Sequence, residues 1–143
     1  MPHIKDVLRQ REVLWAEAGS SVEEVARAMS ALNVGAILVL DKRELRGVFS
    51  ERDIMRRVVA EGRSPAATRV EEVMSTELTT VEEDAGIEEA MELMKRSNCR
   101  HLPVMRGQEV AGFISMRDLM LYQLEEKTEE VQQMRAYIQS AGA

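Results

Sequence analysis

Two hydrophobic periods alternate along the chain, and the whole alternation occurs twice. Val22, Val25, Ala26, Met29 and Leu32 fall on one face at a spacing near 3.6 residues, which predicts a helix buried on one side. Ser20-Ser21-Val22-Glu23-Glu24 supplies two overlapping capping boxes at its start. Asn33-Val34-Gly35 ends it, since Asn or Gly can turn left-handed there. Ala36-Ile37-Leu38-Val39-Leu40 is an unbroken apolar run, too short for a helix and β-branched enough for a strand covered on both faces. The charged turn Asp41-Lys42-Arg43-Glu44 joins it to Leu45-Arg46-Gly47-Val48-Phe49 as a hairpin. A helix then runs from Glu51 to about residue 61 and stops at Gly62. Ahead of these elements, Ile4-Lys5-Asp6-Val7-Leu8 reads as a helical turn leading into a short strand, Val13-Leu14-Trp15.

After the linker-like stretch Arg63-Ser64-Pro65-Ala66-Ala67-Thr68 the plan returns. Val70-Glu71-Glu72-Val73-Met74 is the second helical turn, and Leu78-Thr79-Thr80-Val81 the second leading strand. From Glu17/Glu82 to Met55/Met120, 12 of 39 ungapped pairs at an offset of 65 are identical, where ordinary residue usage gives about two or three. The chain therefore reads as an α+β protein of two β-α-β-β-α repeats. One repeat alone would expose an apolar sheet face, so the two are expected to pack about a pseudo-twofold axis. The expected divisions are 1–64 for the first repeat, 65–122 for the second and 123–143 for a helical extension. In that extension Leu124, Val131 and Ile138 lie seven apart with Met134 between them, and Glu125, Glu126, Glu129 and Glu130 form an acidic outer face. We expect this helix to lie along its own domain, the alternative being a coiled-coil contact with a second subunit.

Composition narrows the class of protein. With 45% hydrophobic and 31% charged residues the 143-residue chain buries a real core. Only 3% of residues are aromatic, so that core is built from aliphatic side chains and ten Met. A formal net charge of −6 argues against general nucleic-acid binding. The single cysteine, Cys99, excludes an intramolecular disulfide and suits a reducing cytoplasm, which is the expected location. With only His3 and His101 besides, no zinc spacing can be assembled, and no metal site is expected. Neither a secretion signal nor a run of ~20 apolar residues is present, so no membrane contact is expected.

The repeat is most exact where it carries chemistry. Gly47-Val48-Phe49-Ser50-Glu51-Arg52-Asp53-Ile54 returns as Gly112-Phe113-Ile114-Ser115-Met116-Arg117-Asp118-Leu119. Each copy reads as an apolar strand entering a helix, with Ser at the N-cap, Arg second and Asp third. Unpaired N–H groups, the positive end of the helix dipole, a hydroxyl and a guanidinium suit a phosphate there, and the carboxylate suits a pair of hydroxyls. A lone Ser-x-x-Asp is usually only a self-satisfying cap. Two copies with Arg in the same place point instead to a phosphate with a ribose attached.

With these repeats, both motifs, and Asn98-Cys99-Arg100-His101-Leu102-Pro103-Val104 ahead of the second hairpin, the chain resembles a tandem cystathionine-β-synthase (CBS) domain pair, or Bateman module, from Ile4 to about Tyr122. The resemblance implies clefts between the repeats that hold adenosine-containing ligands: AMP, ADP, ATP, NAD or S-adenosylmethionine. Asp53 and Asp118 would then accept ribose hydroxyls, and Ser50, Arg52, Ser115 and Arg117 would face phosphate. Val34-Gly35-Ala36 and Cys99-Arg100-His101 would line the base pockets across the repeat boundary. The first copy has Gly35-Ala36 where the second has Arg100-His101, so unequal clefts are expected. Ordinary readings stand beside these: Arg100 as a surface ion pair, His101 as a satisfied half-buried side chain, and Cys99 as a small core residue.

No third member of a Cys/His hydrolase set is present, and there is no Rossmann glycine pattern, so the expectation is a module without catalytic residues or a catalytic cofactor. It would sense an adenine nucleotide and signal to a separate effector protein. The alternative is a structural or interaction protein with empty clefts. Wide apolar stripes on both motif helices (Ile54, Met55, Val58 and Val59; Leu119, Met120, Leu121, Tyr122 and Leu124) further predict a homodimer, which in proteins resembling this one forms a flat disc.

Overall fold

A computed structural model describes residues 2–8 and 13–141. The first sheet orders β1 (Trp15–Glu17), β2 (Ala36–Asp41) and β3 (Glu44–Ser50), with β1 parallel and β3 antiparallel to β2. The second orders β4 (Val81–Glu82), β5 (His101–Arg106) and β6 (Glu109–Ser115) in the same sense. Hairpin registers repeat to the residue: Ala36 faces Ser50 as His101 faces Ser115, and both ladders slip at the same place. β3 and β6 meet between the repeats.

Local chemistry explains the helices. In α2 (Val22–Leu32) the Ser21 hydroxyl accepts the Glu24 N–H at 3.1 Å. Val22, Val25 and Met29 are buried there, and Ile87, Ala90 and Met94 occupy the same places in α5 (Ile87–Ser97). Both helices end on an asparagine in the left-handed region, Asn33 at φ 55° and Asn98 at φ 54°. Leu32, expected on the buried face, is 48% exposed because the buried stripe runs out at Met29 before the chain turns at Asn33.

The two cores are exchanged across the chain. Ile4 and Val7 of α1 (Ile4–Leu8) pack into the second core with Val81, Leu102 and Ile114, while Val70 and Val73 of α4 (Val70–Val73) pack into the first with Val39 and Phe49. The Ile4 N–H donates to Ala85 O at 2.9 Å, and Val48 and Ser75 exchange bonds at 3.0 and 2.9 Å. Gly47 and Gly112 let this happen. A Cβ on Gly47 would lie 2.7 Å from the Ser75 carbonyl oxygen, and one on Gly112 would lie 2.9 Å from Leu8 Cδ1. Each repeat is thus completed by the helical turn that precedes the other.

Three further expectations change. The leading strands begin later than the apolar runs suggest, at Trp15 and Val81, since Trp15 and Val81 are the first residues in register with β2 and β5. The first motif helix is α3 (Glu51–Asp53) continuing as a π-helical stretch, Ile54–Val59, whose wide turns bury Val58 and leave Val59 68% exposed. The last helix, α6 (Met116–Ala141), runs unbroken from the second motif. It does not lie along its own domain: residues 127–139 are exposed. Apart from Val131 and Met134 the stretch from 125 to 135 carries no large apolar residue, too narrow a stripe to cover a sheet face.

Candidate functional site

Each motif serine begins its helix as the sequence suggests, and backbone bonds pin the loops beside it. Glu51 N–H donates to Gly35 O at 2.9 Å, and Met116 N–H to Arg100 O at 2.9 Å. The loops before β2 and β5 are therefore held against the two helix starts. In the first motif Ser50 N–H donates to Asp53 Oδ2 at 2.9 Å, and Asp53 N–H to Ser50 Oγ at 3.2 Å. In the second, Ser115 N–H donates to Asp118 Oδ2 at 2.9 Å, and Asp118 N–H to Ser115 Oγ at 3.0 Å.

Beyond these caps the two copies part. Asp53 is 7% exposed. Its Oδ2 also accepts the Ser50 hydroxyl at 3.1 Å, and its Oδ1 accepts the Ser75 hydroxyl at 3.3 Å with Arg57 Nε 3.6 Å away. Asp118 is half-buried and lines a cleft of about 1750 Å³ between the repeats. Ser115 and Arg117 stand beside it, with Cys99, Arg100 and His101 on the same side. Val34, Gly35 and Ala36 reach the cleft from the first repeat. Nine of the twelve residues singled out from the sequence thus share one cleft, whereas Ser50, Arg52 and Asp53 do not line it.

The cleft is electrically mixed. Arg100, Arg117 and Lys95 face it together with Asp118, Glu51, Glu88 and Glu92. His101 stacks on Phe113, centroids 5.3 Å apart and planes 23° from parallel. Burial pushes its pKa below the usual imidazole value, the carboxylates of Asp118 and Glu51 oppose this, and Arg100 reinforces it. His101 is therefore a neutral ring at pH 7. Cys99 is a partly buried free thiol packed against the second core, donating to Ser97 O at 3.4 Å.

Val13, Leu14 and Glu51 also line the cleft and were not singled out. Val13 and Leu14 read as strand, and nothing in their pattern marks them otherwise. Glu51 had a signal: it fills the motif position that the second copy gives to Met116, and attention to shared positions passes over the one that differs. A shallower hollow of about 500 Å³ carries Arg56, Arg57 and Arg63, but Arg57 donates to Met74 O and Arg63 to Glu72, at 2.9 and 3.0 Å. Among the described residues no group of three or more His, Cys, Asp or Glu could hold a metal ion, and no helix is long and apolar enough to cross a membrane.

Comparison with known proteins agrees with this architecture. The family model for the CBS domain matches residues 4–60 and 70–125. A mitochondrial CBS domain-containing protein of Arabidopsis thaliana is 34% identical over 131 residues, covering 88% of this chain and 64% of its own length. A CBS domain-containing protein of Bacillus subtilis is 34% identical over 124 residues, covering 87% of each. Among solved structures, a CBS domain protein of Pyrobaculum aerophilum complexed with AMP superposes with a TM-score of 0.75 at 26% identity, over 82% of this chain and 89% of that one.

Proposed function

Since the chain belongs to the CBS domain family and carries two such domains in tandem, we propose that it is a non-catalytic regulatory module that binds an adenosine-containing ligand between its repeats and signals to a partner. The observation that carries this reading is the meeting of Ser115, Arg117 and Asp118 with Val34, Gly35 and Ala36 across one cleft. Asp118 accepts ribose hydroxyls, Ser115 and Arg117 hold phosphate at the start of α6 with Arg100 in support, and the loop at Gly35 receives the base. AMP is the first ligand to try, since the P. aerophilum protein is complexed with it; ADP, ATP, NAD and S-adenosylmethionine follow. Ser50, Arg52 and Asp53 form a second site, whose buried carboxylate is met by Ser50, Ser75 and Arg57.

The module works as a cytoplasmic homodimer joined through exposed Met55, Val59, Met120 and Leu121, and passes its signal to a separate effector protein. A thermal-shift panel of the five ligands tests the reading. At a hundredfold excess over the dissociation constant a bound ligand adds ~2.7 kcal/mol, about 10 °C in Tm for a chain of this size. The exposed second half of α6 favours one other reading, an interaction protein with empty clefts; a panel in which no ligand shifts Tm would select it.

A further inference from the structure

α6 carries a seam that none of the described residues covers. From residue 127 to residue 139, about 20 Å of helix, every residue is exposed. An isolated helix of this length is marginal in water, and helices in proteins are held chiefly by packing an apolar face. That face is present: Leu124 is 61% exposed, Val131 48%, Met134 65% and Ile138 63%. Taking Leu124, Val131 and Ile138 as the first position of a heptad, the fourth positions are Met120, Lys127, Met134 and Ala141. Glu125, Glu126, Glu129, Gln132 and Gln133 then fall on the outside. A two-stranded coiled coil has this pattern, and β-branched Val131 and Ile138 at the first position favour two strands. Lys127 is the one charge in the seam, and in a parallel pair it meets its own counterpart, at some loss of stability.

We propose that this part of α6 pairs in parallel with the same helix of a second copy of the chain. The charges beside the seam choose the occupant and its direction. Glu130 is the residue just before Val131, and Arg135 lies four after it. In a parallel pair the first of these positions faces the second on the partner, five residues on, so Glu130 meets Arg135 of the partner chain twice. Antiparallel pairing sets each flank against its own kind, leaving Glu130 opposite Gln123, Tyr137 or another Glu130 and Arg135 without an acid. The seam is continuous with exposed Met120 and Leu121, so the coil extends the dimer surface proposed above while resting on residues of its own.

Sedimentation equilibrium of the full chain, without nucleotide, tests it. The parent runs as a dimer at tens of micromolar. Arg135→Glu and Glu130→Arg each weaken the dimer about tenfold by turning two attractions into two repulsions, and Glu130→Arg combined with Arg135→Glu restores it. Val131→Asp, at an exposed position that leaves both cores untouched, gives a monomer. A parent mass of 16.2 kDa overturns the coil. A dimer indifferent to Val131→Asp also overturns it while leaving the motif-helix interface standing, and a charge swap that fails to restore pairing overturns the parallel direction and the second copy as occupant.

Discussion

Removing the carboxylate of Asp53 should unfold the protein more readily, whereas removing that of Asp118 should chiefly cost affinity. Asp53 sits at 7% exposure and accepts from the Ser50 backbone, the Ser50 hydroxyl and the Ser75 hydroxyl. Asp53→Ala deletes one arm of a capping box, a loss of ~1 kcal/mol. It also leaves the part-buried Ser75 hydroxyl without its acceptor, worth roughly 1–3 kcal/mol. Arg57 is 51% exposed and stays solvated, so its loss adds little. The sum is about 3 kcal/mol, or roughly 10 °C in Tm. Asp118→Ala loses a cap at a half-buried site, about 1 kcal/mol, while a missing charge-assisted bond to ribose is worth roughly 1.5–3 kcal/mol, at least about tenfold in affinity. Urea denaturation and AMP calorimetry on both variants are the assay. The reasoning is refuted if Asp118→Ala proves the less stable of the two, or if Asp53→Ala melts with the parent and alone loses AMP.

Three further outcomes can be checked on the same material. Gly47→Ala should destabilise by about 2 kcal/mol, because the new Cβ lies 2.7 Å from a backbone oxygen, and Gly112→Ala by less, because it meets only the Leu8 side chain; denaturation midpoints decide. Lys42 and Arg43 hold φ of 51° and 67° in the first hairpin, so Lys42→Asn with Arg43→Gly should stabilise by about 1 kcal/mol and raise Tm by roughly 3 °C. His101 has a pKa depressed by burial, so the unfolded chain binds its proton first. Stability attributable to His101 is complete above its usual value of about 6.5 and falls as pH drops through the folded value. Tm measured from pH 7.5 to 5 should decline less steeply in His101→Gln, and an unchanged slope would remove His101 as the cause.

What the sequence revealed followed from how local each signal is. Strand cores, hairpin turns, asparagine caps and the Ser-x-x-Asp boxes are written within a few residues, and the offset of 65 wrote them twice. The exchange of helical turns was not legible, because Ile4 and Val7 look the same whichever core receives them. The strands at Val13 and Leu78 were misjudged because apolar runs do not show where a partner begins. Residues lining the cleft of Asp118 come together across the repeat boundary, yet the surroundings of Asp53 depend on Ser75, 22 residues beyond it and reached only through tertiary packing.

Duplication set the shared geometry and a few substitutions broke its symmetry. At the offset of 65, Glu51 becomes Met116, Gly35-Ala36 becomes Arg100-His101, and Arg57 becomes Tyr122. The Gly35 and Arg100 carbonyls still hold their helix starts at the same 2.9 Å, so none of these changes disturbed the frame. What they altered is the charge around it. Arg57 settles beside Asp53, while Arg100 and His101 equip the cleft of Asp118 and Glu51 reaches into that cleft from the other repeat. The cleft with more ionisable groups is also the one whose helix continues past the body to Ala141. The ligand proposed for Ser115 and Asp118 would act on the first turn of α6, and since the same helix runs on unbroken, a tilt of that turn would reach Val131 and Ile138, the residues on which the proposed pairing depends.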